Sequence, residues 1–464
     1  MHAPEPRLSE RLRTLRGHDL FAATQWRRRI ALWSGGVLVG LAAVAFARAS
    51  DFAYAGFQQI IAWSPWLPLL VTPALFALLS WLTEGALRQT RGSGIPQVVA
   101  SLAVEDAGFR GRLLSLPVAF GKMALTLVAL LGGASIGREG PTVHVGAGLM
   151  YALGRRFGFT DAKVLSRFIL AGGAAGIAAA FNTPLAGVVF AIEELAGTYE
   201  HRFSGNVLTA VIFAGIVSLG LVGNYTYFGM VHATLPLGEG WLAILLCGIC
   251  GGLGGGLFAR LILLDDRGPL ARIASLRAKG PVRFAAACGL ALALLGLLSG
   301  GTIYGTGYLQ AHALVQSTHG AAAEFGLLKL AANTLSYWAG IPGGIFSPAL
   351  AVGAGMGHTL SGLFGSTDPT VVVLLGMAAF LAGVTQAPLT SAVISLELTA
   401  NQSLVIPIMA VCLLARGIAT LASPTPIYRA FAQRLVDDYA KQHAADARPP
   451  PADVRPADHR NDVA

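Results

Sequence analysis

Residues 137–148 read GREGPTVHVGAG, and residues 344–355 read GIFSPALAVGAG. Gly, Pro and the whole VGAG block coincide at an offset of 207. Upstream, RGSGIPQ at 91–97 faces YGTGYLQ at 304–310, at offset 213. Downstream, Pro184-Leu185 with Glu193 faces Pro388-Leu389 with Glu397, at offset 204. Three segments in one order at nearly constant offset indicate an internal repeat, even in a chain with 58 glycines.

The surroundings of these segments set the class. Of 464 residues, 54% are hydrophobic and 12% charged, against roughly 25% charged in an ordinary soluble domain. Residues 1–29 hold ten of the charges and residues 429–464 twelve, which leaves 35 for the 399 residues between. Such a middle cannot cover a water-facing surface, so a soluble enzyme is excluded and an all-α, polytopic membrane protein is expected. Uncharged runs such as 52–83, 203–238, 284–323 and 330–367 exceed the span of about 20 residues that one helix needs. Gly or Pro interrupts them at Pro65, Pro68, Pro73, Gly340 and Pro342, which predicts paired, tilted and broken helices. Broken helices at membrane depth survive only inside protein or beside a watery cavity.

Flanking charge gives orientation. Run 30–47 follows Arg27, Arg28 and Arg29 and starts on the cytoplasmic side, whereas run 240–259 is followed by a basic stretch, 260–283, and ends there. The halves therefore begin on opposite sides, which makes the repeat an inverted-topology one. The expected division is a basic cytoplasmic segment over 1–29, repeat 1 over 30–238, repeat 2 over 239–430 and a disordered cytoplasmic tail over 431–464. Both termini are expected in the cytoplasm of a bacterial inner membrane, with no signal peptide in the seven-arginine N-terminus. The net charge of +9 reads as positive-inside patterning and not as nucleic-acid binding. Arg110, Arg112 and Lys122 read as cytoplasmic loop residues. Cys247 and Cys250 form a C-x-x-C with no second pair nearby, so helix packing is expected, and no metal or cofactor. Gly251/Gly255 and Gly252/Gly256 give close-packing helix faces within a subunit.

In inverted-repeat transporters the substrate site lies near the midplane, where broken helix ends from both halves meet. The candidates are GSGIP (92–96), GREGP (137–141) and GIFSP (344–348), each with Gly ahead of an apolar helical stretch and Pro in its first turn. A helix N-terminus presents unpaired N–H groups and a positive dipole end. Several of them converging would replace the hydration shell of a small anion without a full positive charge. Glu139 starts such a helix, where its carboxylate can take an anion's place; protonation would release it, so one group couples two substrates. Glu193 and Glu194 follow the uncharged run 168–192. A charge at mid-membrane costs about 2.5–3.5 kcal/mol on insertion scales, so these carboxylates either handle protons or end a helix hydrated or paired to Arg202.

These motifs resemble the CLC family of chloride channels and chloride/proton exchangers, over about residues 30–430. The resemblance implies a CLC-type fold and a homodimer in lipid with one anion pathway per subunit, carrying chloride and protons. It implies that the hydroxyls of Ser93 and Tyr428, in SPTPIY, hold a central anion with the N–H groups of Ile345 and Phe346. N–H groups around Arg138, Glu139 and Gly140 would line the outer anion site, and those around Gly92 and Ser93 the inner one. Glu139 falls on the family's gating glutamate. Glu194 falls on the internal proton relay of its exchangers, with Glu193 its neighbour. That carboxylate favours coupled exchange over the alternative, a passive channel. Ser93 fits chloride over nitrate, and GREGP with Tyr428 argues against the fluoride-exporting branch. Gln97 stands where some exchangers have an acidic residue, and His144 has no assigned role. A hydrolase reading of GASIG at 133–137, with Ser135 and His144, rests on a weak motif and lacks a second copy in the repeat.

Overall fold

The computed structural model describes residues 23–196, 205–235, 238–264, 269–317 and 322–446. Residues 1–22 of the basic segment, the residues 447–464 of the tail, Arg202 and the orienting residues Asp265, Asp266 and Arg267 lie outside them.

The first half runs α1 (Ala23–Trp63), α2 (Pro68–Glu84), α3 (Ile95–Ala103), α4 (Ala107–Leu114), α5 (Leu116–Leu131), α6 (Glu139–Arg156), α7 (Ala162–Phe181), α8 (Pro184–Phe190) and α9 (Gly205–Val222). A π-helical turn, Ala191–Ala196, follows α8. The second half runs α10 (Glu239–Leu263), α11 (Ala271–Lys279), α12 (Pro281–Leu298), α13 (Tyr308–Val315), α14 (Phe325–Trp338), α15 (Phe346–Ser361), α16 (Pro369–Thr385), α17 (Pro388–Thr399) and α18 (Val405–Ala422). A final helix, α19 (Ile427–Asp446), returns beneath α3. Seven helical stretches among the described residues are long and apolar enough to cross a membrane. Others are too short: α3 has 9 residues, α8 has 7 and α13 has 8.

The two halves repeat each other contact by contact. Gly36 and Gly40 of α1 lie against Ala210 and Ala214 of α9, and Gly252 and Gly256 of α10 lie against Ala415 and Ala419 of α18 in the same way. Gly146 of α6 meets Gly172 of α7 backbone to backbone, and Gly353 of α15 meets Gly376 of α16 likewise. Small residues let backbones approach where lipid offers no hydrophobic drive between helices. The C-caps of α7 and α16, Asn182 and Gln386, are both left-handed, with φ of 56° and 60°. Gly251 and Gly255 face α16, so both glycine faces of α10 are spent inside this chain.

The halves join through equivalent residues. The Gly137 N–H donates to Gly344 O and the Gly344 N–H to Gly137 O, both at 2.7 Å, in an antiparallel bridge. A reciprocal bond pair between repeat-related residues is what a two-fold axis between them produces. Glu193 accepts the N–H groups of Leu389 and Thr390 at the start of α17, at 3.2 and 2.7 Å. Glu397 does the same for Leu185 and Ala186 at the start of α8, at 3.1 and 2.6 Å. Each half thus caps a helix of the other.

Four sequence expectations need correction. α1 is one helix of 41 residues, about 60 Å long, and passes straight through Arg48 and Asp51. These charges stay in the helix because Arg48 donates to Leu221 O at 2.9 Å and Asp51 pairs with Arg138 at 2.6 Å. Pro73 does not break the chain; it lies inside α2, packed against Gly289 of α12. Lys122 is a buried residue of α5 and not a loop residue, since its ammonium donates to Gly92 O and Arg91 O at 3.0 and 3.3 Å. Its repeat mate Lys329 donates to Ile303 O and Gly305 O, both at 2.8 Å. Arg110 is buried too, with bonds to Ser101 O, Ala162 O and Ser166 Oγ. Finally, residues 431–446 are helical, because Ile427, Tyr428 and Ala432 are buried in the main core.

Gly376→Val forces a side chain onto Gly353 O, which lies 2.5 Å from an ideal Cβ. Overpacking of this kind costs roughly 1–3 kcal/mol, so a lower melting temperature in detergent is expected. Gly417→Ala meets open space on α18 and is expected to hold stability or raise it by about 0.5–1 kcal/mol, with an unchanged or higher melting temperature. Equal melting temperatures for the two variants would contradict the backbone contact.

Candidate functional site

The three glycine–proline motifs all become helix starts. GSGIP opens α3 after Gly92 and Gly94, whose φ of 72° and 105° fold the chain into a bend that residues with a Cβ resist. GREGP opens α6 at Glu139, and GIFSP opens α15 at Phe346. The first ladder bonds run from Thr142 N–H to Arg138 O and from Ala349 N–H to Ile345 O. The N–H groups of residues 139–140 and 346–347 therefore precede the ladders, as helix starts require. These ends converge: a side chain at Gly140 would run into Ser93 Oγ, and one at Gly344 would lie 3.0 Å from the Gly140 nitrogen.

Glu139 is almost fully buried, at 1% exposure. Its carboxylate accepts the Ser347 hydroxyl at 2.5 Å and faces the Ser347 N–H at 3.5 Å, so it sits on the N-terminus of α15. A negative group there is stabilised by the dipole. Gly137 makes the pose possible, because a Cβ on it would occupy the place of Glu139 Oε2. Ser347 was legible as part of GIFSP, yet nothing in its spacing marked it as the carboxylate's partner.

The hydroxyls of Ser93 and Tyr428 neighbour each other, and both are buried with no well-formed hydrogen bond to any other group. An unpaired buried hydroxyl costs about 1–3 kcal/mol, which an acceptor placed between the two would relieve. Phe346 stacks on the Tyr428 ring at 6.0 Å between centroids, and Phe190 of α8 meets Phe346 edge-on at 5.9 Å. This aromatic cluster joins Phe346 and Tyr428 to α8, which leads into the turn that carries Glu193 and Glu194.

That turn separates the two glutamates. A π-helical insertion rotates successive side chains out of α register. Glu193 is consumed as the cap of α17. Glu194 is buried, with Glu193, Arg429 and Tyr428 as its charged and polar neighbours. Arg138 points away from the anion candidates and binds Asp51 and Ala47 O, so it offers the site its backbone only. His144 is buried, with Nε2 2.8 Å from Leu113 O, and Gln97 donates to Arg91 O at 2.7 Å. Ser135 Oγ is bonded to Asn333 and Ile303 O, at 2.6 and 3.0 Å, which places it in packing and not beside a histidine base.

Cavities flank the buried pair from two sides. One, of about 530 Å³, is lined by Asp51, Arg138, Tyr225, Tyr227 and Tyr308. The other, of about 240 Å³, is lined by Arg91, Gly92, Ser93, Gln97 and Tyr337. Glu139 adjoins the first through Arg138, and Ser93 opens on the second. Cys247 and Cys250 stand apart on α10, where Cys247 Sγ lies 3.8 Å from Val372 O.

Residues 75–420 match the family described as voltage gated chloride channel. The H(+)/Cl(-) exchange transporter ClcA of Cronobacter sakazakii is 32% identical over 436 residues, covering 89% of this chain and 91% of that protein. ClcA of Salmonella arizonae is 29% identical over 448 residues, covering 90% of each. Among solved structures, a slow cyanobacterial Cl-/H+ antiporter superposes with TM-score 0.73 at 26% identity, covering 90% of this chain and 99% of that one. A CLC-type fluoride/proton antiporter superposes with TM-score 0.71 at 26% identity, over 87% and 97%. With the family matched across three quarters of its length and CLC antiporters superposing on about nine tenths of it, this chain belongs to the voltage-gated chloride channel family, as a membrane protein of CLC fold.

Proposed function

We propose that this protein exchanges chloride for protons across a membrane, as a secondary active transporter and not an enzyme. The observation that carries the proposal is the pose of Glu139. Its carboxylate sits on the N-terminus of α15, next to Arg138 on the wall of one cavity and in the same cluster of helix starts as Ser93, whose hydroxyl, like that of Tyr428, is unpaired. Chloride and the carboxylate compete there for the same positive helix end. When the carboxylate takes a proton its charge is lost, the dipole no longer favours it, and chloride enters its place. Release of the proton returns the carboxylate and displaces chloride.

The anion is held by the hydroxyls of Ser93 and Tyr428 and the N–H groups of Ile345 and Phe346. N–H groups at Arg138 and Gly140 form the outer stage, and those at Gly92 the inner one. Glu194 relays the proton from the cytoplasm, while the hydrogen bonds of Glu193 give that residue a capping part beside the relay. The fold is shared by chloride and fluoride antiporters alike, so the paired hydroxyls carry the preference for chloride. Every group named comes from one chain, which supports one pathway per subunit of a homodimer in the lipid. The division into repeats at 238/239 and cytoplasmic termini in a bacterial inner membrane complete the reading. The basic residues of α11, early in the second half, support that orientation.

Purified protein in liposomes is expected to take up protons when chloride runs down its gradient outward. Chloride flux with no proton movement would establish the passive channel instead. Glu139→Ala is expected to pass chloride without protons, and Glu194→Gln to stop proton movement while chloride still flows. Intact coupling in either variant would remove that residue from the mechanism. Loss of one hydroxyl from the anion, in Ser93→Ala or Tyr428→Phe, is expected to weaken chloride binding by roughly 10- to 100-fold, the worth of a hydrogen bond to a charged group. Calorimetric titration reads this directly, and parallel titrations with bromide, nitrate and fluoride set the selectivity.

A further inference from the structure

The 240 Å³ cavity has a feature that passage of chloride does not need. Arg88, Arg91, Arg277 and Arg434 all line it, against one lining carboxylate, Asp438. Arg91 is paired at 2.6 Å with Glu84. Arg434 donates to Leu263 O at 2.7 Å. Arg277 of α11 has no hydrogen bond or ion pair among the described residues, although it is half-buried. Its guanidinium and that of Arg91 reach the same spot: an ideal Cβ on Gly340 would lie 2.9 Å from Arg277 Nη2 and 3.1 and 3.2 Å from Arg91 Nε and Nη2.

Two guanidiniums on one point repel, and Glu84, the carboxylate near both, is bonded among the described residues to Arg91 alone. Burial, with Arg91 beside it, pushes the Arg277 guanidinium down to about 10. A monovalent halide offers no directional acceptors to planar, forked donors, whereas an oxyanion offers several oxygens that match them. The same wall carries Gly92 and Ser93.

We infer that this cavity binds a doubly charged oxyanion of sulfate or phosphate size between Arg91 and Arg277, and that the occupant closes the inner mouth of the anion path. The closure rests on the exchange reading; the binding does not. The site would make the protein sensitive to the oxyanion level on its cytoplasmic face.

The test titrates full-length protein in detergent with sodium sulfate and with inorganic phosphate, by calorimetry in gluconate buffer. Saturable binding is expected, about tenfold or more weaker in Arg277→Gln and unchanged in Arg272→Gln, an exposed arginine of the same helix outside the cavity. No saturable heat, or equal loss in both variants, overturns the site. Heat that appears only with phosphatidylglycerol, and not with either inorganic ion, assigns the cavity to a lipid headgroup and overturns it as well. In liposomes, sulfate on the inner face is expected to slow chloride efflux by wild type but not by Arg277→Gln, each relative to its own sulfate-free rate. Unslowed wild-type flux with binding intact overturns the closure. Absence of any sulfate-free chloride flux would sink the exchange reading alone, since calorimetry reads binding without transport.

Discussion

A small anion in the middle of a membrane must recover the hydration it gave up, and must do so without a fixed positive charge that would trap it. Convergent helix N-termini meet both demands, because each offers N–H groups and a fractional positive end worth roughly 0.3–1 kcal/mol, up to about 2 when partly buried. The ends of α6 and α15 meet where Gly137 and Gly344 pair back to back, with no side chains between them, and Gly140 brings in the start of α3 at Ser93. Gly137 also leaves space for the Glu139 carboxylate on α15. Remove this close approach, and the helix ends, the carboxylate and the paired hydroxyls no longer share one place.

The rest of the chain is arranged to keep these ends fixed. Lys122 and Lys329 hold the carbonyls of the repeat-related bends at 91–92 and 303–305. Those carbonyls lie outside the helix ladders, and the ammoniums add to the bonds that Gln97 gives Arg91 O and Ser135 gives Ile303 O. The glycine contacts between α6 and α7, and between α15 and α16, draw the helices behind the ends into backbone contact. Rigidity behind leaves the Glu139 carboxylate, bonded to Ser347, as the charge in front of the helix ends.

Much of this was legible in the residues. The repeat, the broken helices and the three N-termini follow from glycine and proline at constant offsets, because those residues carry backbone geometry on their face. What was not legible depends on contacts between distant segments. Lys122 reads as a loop residue because a buried ammonium is recognisable only once the carbonyls of 91–92 are placed beside it. The continuity of α1 through Arg48 and Asp51 depends on Leu221 and Arg138, far away in the chain. Ser347 and the distinct parts of Glu193 and Glu194 are of the same kind. The tail beyond 430 reads as polar, yet Tyr428 and Ala432 anchor its first half in the core.

The reciprocal caps have a consequence for how such a chain comes into being. Glu193 closes α17 and Glu397 closes α8, so neither half completes its own helices. During synthesis the first half must wait in the membrane, with α8 uncapped, until the second arrives upside down beside it. A single half-length polypeptide inserting in both orientations would satisfy every one of these pairs with a second copy of itself. The present chain retains the geometry of that antiparallel pair, with the two partners joined in one polypeptide so that they are made in equal number and in opposite orientations.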